Sequence, residues 1–198
     1  AQLAGEALPG HVRDVDAAGM SRVNLIDATP IGVNVRSTVA TYSGVLDELR
    51  RAFARTEEAQ AAGLKPGAFS YNTGSLRCAT CDGTGQITLD VQFLPDVDIE
   101  CTQCRGSRYG TQANEIRREG LSLPEIMTMS VDEARVAVRG LKKAGALLET
   151  LSSLGLGYLS LGEATPALSG GEAQRLKLAS EMGRRQDGTL FVFDEPTI

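Results

Sequence analysis

The stretch that decides the fold is Leu168-Ser-Gly-Gly-Glu-Ala-Gln-Arg-Leu-Lys-Leu-Ala-Ser-Glu181, followed by Leu190-Phe-Val-Phe-Asp-Glu-Pro196. Apolar residues after the glycine pair recur at helical spacing, which predicts a helix from about Glu172 to Met182. The predicted buried face of this helix carries Ala173, Leu176, Ala179 and Met182. Unpaired N–H groups at a helix start attract anions, and glycines let an anion come close. The second stretch predicts a buried strand ending in two acids, at the sheet edge where open α/β folds bind ligands.

This combination, in this order, resembles the signature loop and the Walker B strand of ABC-type ATPases. The plainer alternative is an ordinary α/β domain with a tight loop, because each half of the pattern is common alone. The cofactor-binding residues that the resemblance implies are Ser169, Gly170, Gly171, Glu172 and Asp194. The loop residues would hold the γ-phosphate of ATP bound to a facing ATPase half, and Asp194 would hold Mg²⁺ through water. Glu195 would be the catalytic residue that polarises the attacking water.

The composition is that of an ordinary soluble globular chain. Its 198 residues are 23% charged and 42% apolar, enough for one or two domains with a core. The net charge of −5 does not favour nucleic acid over the whole surface, so contact with DNA would need a local patch. The sequence has neither a long apolar run nor a signal-peptide pattern at its start. We therefore expect no membrane insertion and a cytoplasmic location.

The sequence also lacks Gly-x-x-x-x-Gly-Lys-Ser/Thr, the loop that cradles nucleotide phosphates in ABC ATPases. The last residue, Ile198, comes just after the paired acids. Both features indicate a piece of a larger protein. We expect the full-length protein to be an ATPase and the 198-residue piece to be inactive alone.

Four cysteines form two close pairs, Cys78-x-x-Cys81 and Cys101-x-x-Cys104, each followed by a glycine at the same offset. Such a pair can grip one metal ion, and the glycine lets backbone N–H groups turn toward the thiolates. We therefore expect one structural Zn²⁺ held by Cys78, Cys81, Cys101 and Cys104. The alternatives are two disulfides or free buried thiols.

The residues between the cysteine pairs predict a hairpin that brings the second pair back to the first. Gln86–Phe93 alternates apolar and polar residues, Leu94–Asp96 is a turn, and Val97–Ile99 is a return strand. Residues 70–118 contain five arginines and six acidic residues, so composition does not mark this module as a basic patch.

The other elements are predicted from periodicity and caps. Val23–Ile26 is a buried strand, and Val45–Arg55 is an amphipathic helix capped by Thr41 or Ser43. Glu57–Gly67 is a polar connector. Further along, Ser130 and Glu133 form a capping box that starts one helix, and a second helix covers Leu141–Leu154.

Taken together, the residues resemble the UvrA family, the ATP-dependent damage-recognition subunit of the bacterial nucleotide excision repair excinuclease. The matching stretches, besides the cysteine pairs and the signature loop, are Pro30-Ile-Gly32, Arg36-Ser37, Ala40-Thr-Tyr42, Pro66-Gly-x-Phe-Ser70 and Phe93-Leu-Pro-Asp96. The similarity runs from about Val23 to Ile198.

The resemblance implies an α/β fragment of an ABC-type ATPase with an inserted small zinc hairpin module, built on the four cysteines, and an α-helical signature subdomain. The implied division is 1–69 for the ATPase core after the Walker A segment, 70–118 for the zinc module, 119–165 for the helical subdomain and 166–198 for the signature loop and Walker B strand. The implied partners are damaged duplex DNA, a second copy in a head-to-tail homodimer and a UvrB-like protein. The implied cofactors are ATP, Mg²⁺ and Zn²⁺.

The chain departs from the family at Ala28, where the family usually has glutamine, at Val33 in place of arginine, and at Ile198 in place of threonine. These departures would suit a UvrA-like paralogue in drug resistance or export. Another alternative is a DnaJ-like zinc-binding chaperone module, which Cys78–Gly85 resembles, although the signature helix has no place in it. A third is an ABC transporter ATPase, against which the zinc insertion argues.

Overall fold

The computed structural model describes residues 7–89, 97–183 and 186–194. The α-helices are α1 (Val39–Tyr42), α2 (Val45–Phe53), α3 (Glu57–Ala61), α4 (Leu123–Thr128), α5 (Val131–Ala137), α6 (Lys142–Leu151) and α7 (Gly170–Met182). The strands are β1 (Arg22–Ile26), β2 (Gln86–Leu89), β3 (Val97–Glu100), β4 (Arg117–Arg118), β5 (Leu121–Ser122) and β6 (Thr189–Phe193). Short 3-10 turns cover Pro66–Phe69, Thr111–Asn114 and Thr165–Ala167, and a π-helical turn covers Ser152–Leu156. No helix among these residues is long and apolar enough to cross a membrane.

The strands form three small sheets. β1 and β6 are parallel, with Arg22 opposite Thr189 and Ile26 opposite Phe193. β2 and β3 form the expected antiparallel hairpin, and β4 and β5 form a second, two-residue one. The mixed α/β architecture with a hairpin insertion and a helical part is therefore confirmed.

Most buried apolar side chains belong to one core built by the helices. The apolar face of α2 enters it with Val45, Leu46, Leu49, Ala52 and Phe53. The stretches that flank the cysteine module are anchored in the same core by aromatic rings. Phe69 packs against Phe53 at 6.1 Å between centroids, and Tyr71 meets Tyr109 edge-on at 5.9 Å. The helical core therefore anchors the chain on both sides of the cysteine module.

Helix α7 begins two residues earlier than predicted, because Ser169 caps it. The Ser169 hydroxyl accepts from the Glu172 N–H while the Glu172 carboxylate accepts from the Ser169 N–H. Ala173, Leu176 and Ala179 are buried as predicted, but Met182 is 49% exposed at the end of the helix. The capping box at Ser130 and Glu133 is confirmed at the start of α5.

Three local predictions are wrong. Residues 57–61 form helix α3, because the Thr56 hydroxyl accepts from the Ala59 N–H and caps it. Gly44, in the left-handed conformation, occupies the cap of α2 in place of Thr41 or Ser43. The two parallel strands are not buried. Side chains exposed by more than a third include Val23, Leu25, Leu190, Val192 and Phe193. Within the described residues β1 and β6 pair only with each other, so no further strand or layer covers these side chains.

Candidate metal centre and nucleotide-facing edge

The four cysteine side chains converge on one point. Their sulfur atoms all lie within 4.8 Å of one another, and all four residues are buried. The Sγ atoms of Cys78 and Cys101 are 4.0 Å apart, and those of Cys81 and Cys104 are 3.6 Å apart. Tetrahedral zinc with bonds of about 2.3 Å requires sulfurs about 3.8 Å apart. The donor set and its spacing therefore fit one Zn²⁺, and they are too wide for disulfides, whose sulfurs are about 2.05 Å apart.

Both cysteine pairs are followed by the same unusual backbone. Asp82 and Gly83 have φ of 49° and 78°, and Arg105 and Gly106 have φ of 47° and 72°. This left-handed turn brings the Gly85 N–H to 3.3 Å from the Cys81 sulfur. At Gly83 a Cβ atom would lie 1.8 Å from the Tyr71 carbonyl oxygen, so only glycine fits. The glycines that were predicted from spacing are thus required by the turn.

The electrostatics of the cluster favour the thiolate form of Cys101. Burial raises the pKa of the Cys101 thiol, but hydrogen bonds from the backbone N–H groups of Cys104 and Gln103 outweigh this and bring the pKa to about 7. Burial also raises the pKa of the Cys104 thiol well above its usual range. Four buried thiols this close cannot all ionise alone, so a cation is needed to hold them as thiolates.

The second candidate region is the carboxyl edge of the parallel sheet. Asp27 follows β1 and Asp194 follows β6, and the Asp194 N–H donates to the Ile26 carbonyl at 3.1 Å. The Gln174 amide, from α7, donates to the carbonyl oxygens of Ile26 at 3.1 Å and Asp194 at 2.7 Å. Gln174 is 6% exposed and therefore holds the two strand ends and the signature helix together.

Asp27 is held by Lys177, one helical turn after Gln174. The Lys177 ammonium lies 2.5 Å from Asp27 Oδ1, 2.8 Å from the Thr29 carbonyl oxygen and 2.9 Å from the Thr29 hydroxyl. Hydrogen bonds from Lys177 and then from Thr29 lower the pKa of Asp27 to about 2. The loop after β1 is therefore fixed to α7 by a charge pair.

Replacing Lys177 with methionine should lower the free energy of unfolding at neutral pH. Because the folded-state pKa of Asp27 lies below its usual value of 3.8, the stabilisation is complete above about pH 4 and is lost as the pH falls toward about 2. Denaturant unfolding at a series of pH values should show the variant and the wild type converging over that window. Lys143→Met, at an exposed position, is the control. If the difference in free energy of unfolding between wild type and Lys177→Met stays constant from pH 7 down through this window, the stabilising role of the Asp27–Lys177 pair is contradicted.

The start of α7 directs backbone N–H groups into the space beside the carboxyl edge of the parallel sheet. Among the described residues, the N–H groups of Gly170 and Gly171 have no hydrogen-bond partner. A Cβ atom at Gly170 would lie 3.2 Å from both the Cβ and the carbonyl oxygen of Ala28, so the glycine lets the two loops touch. The predicted anion-binding residues therefore lie against the loop that follows β1.

Glu172 has two roles at this helix start. One carboxylate oxygen completes the capping box at 2.7 Å from the Ser169 nitrogen, and the other accepts a short hydrogen bond from the Tyr158 hydroxyl. The Tyr158 and Ser169 hydrogen bonds lower the pKa of Glu172, so it stays ionised. Both carboxylate oxygens of Glu172 are therefore occupied by hydrogen bonds, and its role in this structure is to hold the conformation of the loop at the start of α7.

The structure therefore brings the four cysteines together and places Ser169, Gly170, Gly171 and Glu172 at one helix start. Asp194 lies at the adjacent strand end, while Glu195 and the turn at 94–96 lie outside the described residues. Sequence reasoning missed the roles of Gln174 and Lys177. Their spacing of three puts them on one face of α7, but their partners at Ile26 and Asp27 are about 150 positions away in the chain.

No family model matches the chain. UvrABC system protein A from Synechocystis is 44% identical over 193 residues, which is 96% of this chain and 20% of that protein. The protein of the same name from Thermus thermophilus is 43% identical over 179 residues, covering 90% of this chain and 19% of its own length. The protein of the same name from the archaeon Methanothermobacter thermautotrophicus is 43% identical over 189 residues, covering 93% of this chain and 20% of its own length.

Among solved structures, UvrA2 from Deinococcus radiodurans superposes with a TM-score of 0.84 at 40% identity, covering 91% of this chain and 22% of that one. The chain spans about a fifth of the length of the relatives it matches. The chain belongs to the UvrA family.

Proposed function

We propose that this chain supplies the signature half of an ATP site in a UvrA protein that acts in nucleotide excision repair. The observation that carries the proposal is the pair of N–H groups at Gly170 and Gly171, which start a 13-residue helix and have no hydrogen-bond partner in the part of the chain that the structure describes. Helix starts of this kind bind phosphate through N–H groups and the helix dipole. Phosphoryl transfer depends mainly on such positioning and charge stabilisation.

The residue assignments keep the sequence prediction. Ser169, Gly170 and Gly171 would face the γ-phosphate of ATP bound to the opposing half, with Glu172 holding their conformation. Asp194 would bind Mg²⁺ through water and Glu195 would orient the attacking water. The similarity to proteins named UvrABC system protein A supports damaged duplex DNA, a head-to-tail second copy and a UvrB-like protein as partners of the whole protein. The chaperone, transporter and export alternatives find no support in these comparisons.

We also propose that the four cysteines hold one structural Zn²⁺. The near-tetrahedral spacing of four buried sulfur ligands leaves no open position for a reacting ligand, which is typical of a structural site. When bound, the ion would offset half of the negative charge of the four thiolates and join the two cysteine pairs. We propose residues 70–118 as the bounds of this module. Its two flanks, which include Tyr71 and Tyr109, pack in the helical core, and residues 78–107 carry the cysteines.

The purified 198-residue chain should hydrolyse ATP no faster than a buffer blank, because its sequence has no phosphate-cradling loop. A coupled phosphate-release assay with zinc-loaded protein measures this directly. Clear turnover by the chain alone, abolished by Gly170→Asp but unaffected by Gly145→Asp, would show that the chain contains a complete site. That result would overturn the assignment of a half-site.

A further inference from the structure

Arg108 is a buried cation between the cysteine cluster and the loop that follows β1. It is 6% exposed, and its backbone has φ of 71°. Its Nη1 lies 2.9 Å from the Val35 carbonyl oxygen and 3.5 Å from that of Gly83, in the turn after Cys81. The guanidinium lies 5.2 Å from the centre of the Tyr71 ring. One side chain therefore contacts both the metal module and a distant loop.

Burying a guanidinium is costly unless a negative charge compensates it. Desolvation lowers the pKa of Arg108, whereas Tyr71, Cys81 and Cys104 oppose this. A Zn²⁺ ion with four thiolates carries a net charge of −2, so the metal-bound centre is the anion that a buried cation here would offset. The backbone adds a second link, since the Arg108 carbonyl accepts from the Cys78 N–H at 2.9 Å.

The loop that Arg108 contacts continues to the signature helix through hydrogen bonds. The Tyr71 hydroxyl donates to the Arg36 carbonyl at 3.0 Å. The Thr165 N–H donates to the Ser37 carbonyl at 2.9 Å, and the Thr165 hydroxyl donates to the Ile31 carbonyl at 3.1 Å. The Leu168 N–H in turn donates to the Thr165 carbonyl at 3.3 Å, one residue before the cap of α7. Residues 31–38 thus lie between the metal module and the start of α7.

We propose that Arg108 is a positioning residue through which the metal centre fixes residues 31–38 and the signature loop. The guanidinium is held by the charge of the metal–thiolate centre, and it holds the loop by its hydrogen bond to Val35. The inference rests on the proposed zinc site. It adds a physical link between that site and the nucleotide-facing edge, so metal occupancy and the conformation of the signature loop depend on each other.

The test compares hydrogen exchange and zinc affinity in the wild-type chain, Arg108→Met and Arg105→Met. Arg105 is the matched control, because it follows a cysteine ligand, has positive φ and is exposed. In the zinc-bound state, amides of residues 35–40 and 165–169 should exchange roughly tenfold faster in Arg108→Met than in wild type, with Arg105→Met unchanged. Zinc affinity, measured by competition with a chromophoric chelator, should fall roughly tenfold in Arg108→Met, as for other residues that support metal ligands.

Two further samples separate charge from geometry and guard against a variant that does not fold. Arg108→Lys keeps the charge but lacks the planar fork, so it should restore most of the zinc affinity without restoring loop protection. Wild-type chain stripped of zinc should lose protection at 35–40 and 165–169, and this comparison needs no substitution. Stripping zinc from Arg108→Met should then cause little further increase in the exchange rates of these two segments.

Zinc-bound Arg108→Met that exchanges like Arg105→Met would overturn the inference while leaving the zinc site standing. The same holds if stripping zinc from the wild type leaves both segments protected. Elemental analysis keeps the two claims apart, because a wild-type chain that binds no zinc contradicts the metal site itself, and the inference with it.

Discussion

Removing the metal, or replacing Cys81 with serine, should unfold residues 78–89 and 97–107 while the helical core stays folded. Among the residues that the structure describes, Ile87 is the one apolar side chain that packs against the four cysteines. The flanking residues Leu76 and Tyr109 belong to the helical core instead. A segment without an apolar core of its own depends on its metal for folding, and structural zinc contributes folding free energy directly.

Hydrogen exchange with mass spectrometry can resolve the two regions in a single experiment. With chelator, or in Cys81→Ser, amides in residues 78–89 and 97–107 should exchange at least about a hundredfold faster, while α2 and α6 keep their protection. Thr80→Ser, at an exposed position between two cysteines, should behave like wild type. Equal protection of residues 78–89 and 97–107 with and without zinc would show that the module folds without a metal.

The second large effect is expected at the signature loop. In a longer UvrA protein that carries this segment, Gly170→Asp should reduce ATP turnover by about a hundredfold, as loss of a positioned transition-state donor typically does. The new side chain would meet Ala28, whose Cβ is 3.2 Å from the Cβ position of residue 170, and would place a negative charge where the phosphate is expected. The loss should appear mainly in the turnover number at saturating ATP.

A suitable protein is the Synechocystis UvrABC system protein A in which this chain replaces the matching 193 residues. Gly145→Asp, in helix α6 with no atom within 4 Å of its Cβ position, controls for the added charge. Gly170→Ala separates the space requirement from the charge, because it adds only a methyl group. If Gly170→Asp and Gly145→Asp turn over ATP equally, the signature loop does not face the phosphate.

The features that sequence predicted well are those fixed by local geometry. The Cys78-x-x-Cys81 and Cys101-x-x-Cys104 spacings and their glycines determine a turn of a few residues, so the cluster follows from the sequence and the return hairpin. The capping box of Ser130 and Glu133 is equally local, because two side chains three positions apart satisfy one another's N–H groups. Periodicity likewise predicted the buried face of α2, because a helix repeats every 3.6 residues or so.

The features that were missed depend on contacts between distant parts of the chain. The pairing of Lys177 with Asp27 and the contact of Arg108 with Val35 join positions that no local pattern relates. The exposure of β6 was also not predictable, because an apolar strand shows only that a layer could cover it. Helix α3 was mistaken for a connector because Gly63 and Pro66 dominated the composition, whereas Thr56 supplies the cap that starts it.

The ATP turnover of the wild-type chimaera, with one zinc bound per copy of this segment, tests the central claim most directly. If this chain supplies the signature half of an ATP site, the chimaera should turn over ATP within about tenfold of the unmodified Synechocystis protein, a difference of about 1.4 kcal/mol in activation free energy. A folded, zinc-loaded chimaera whose turnover is no higher than that of its Gly170→Asp variant would contradict the claim.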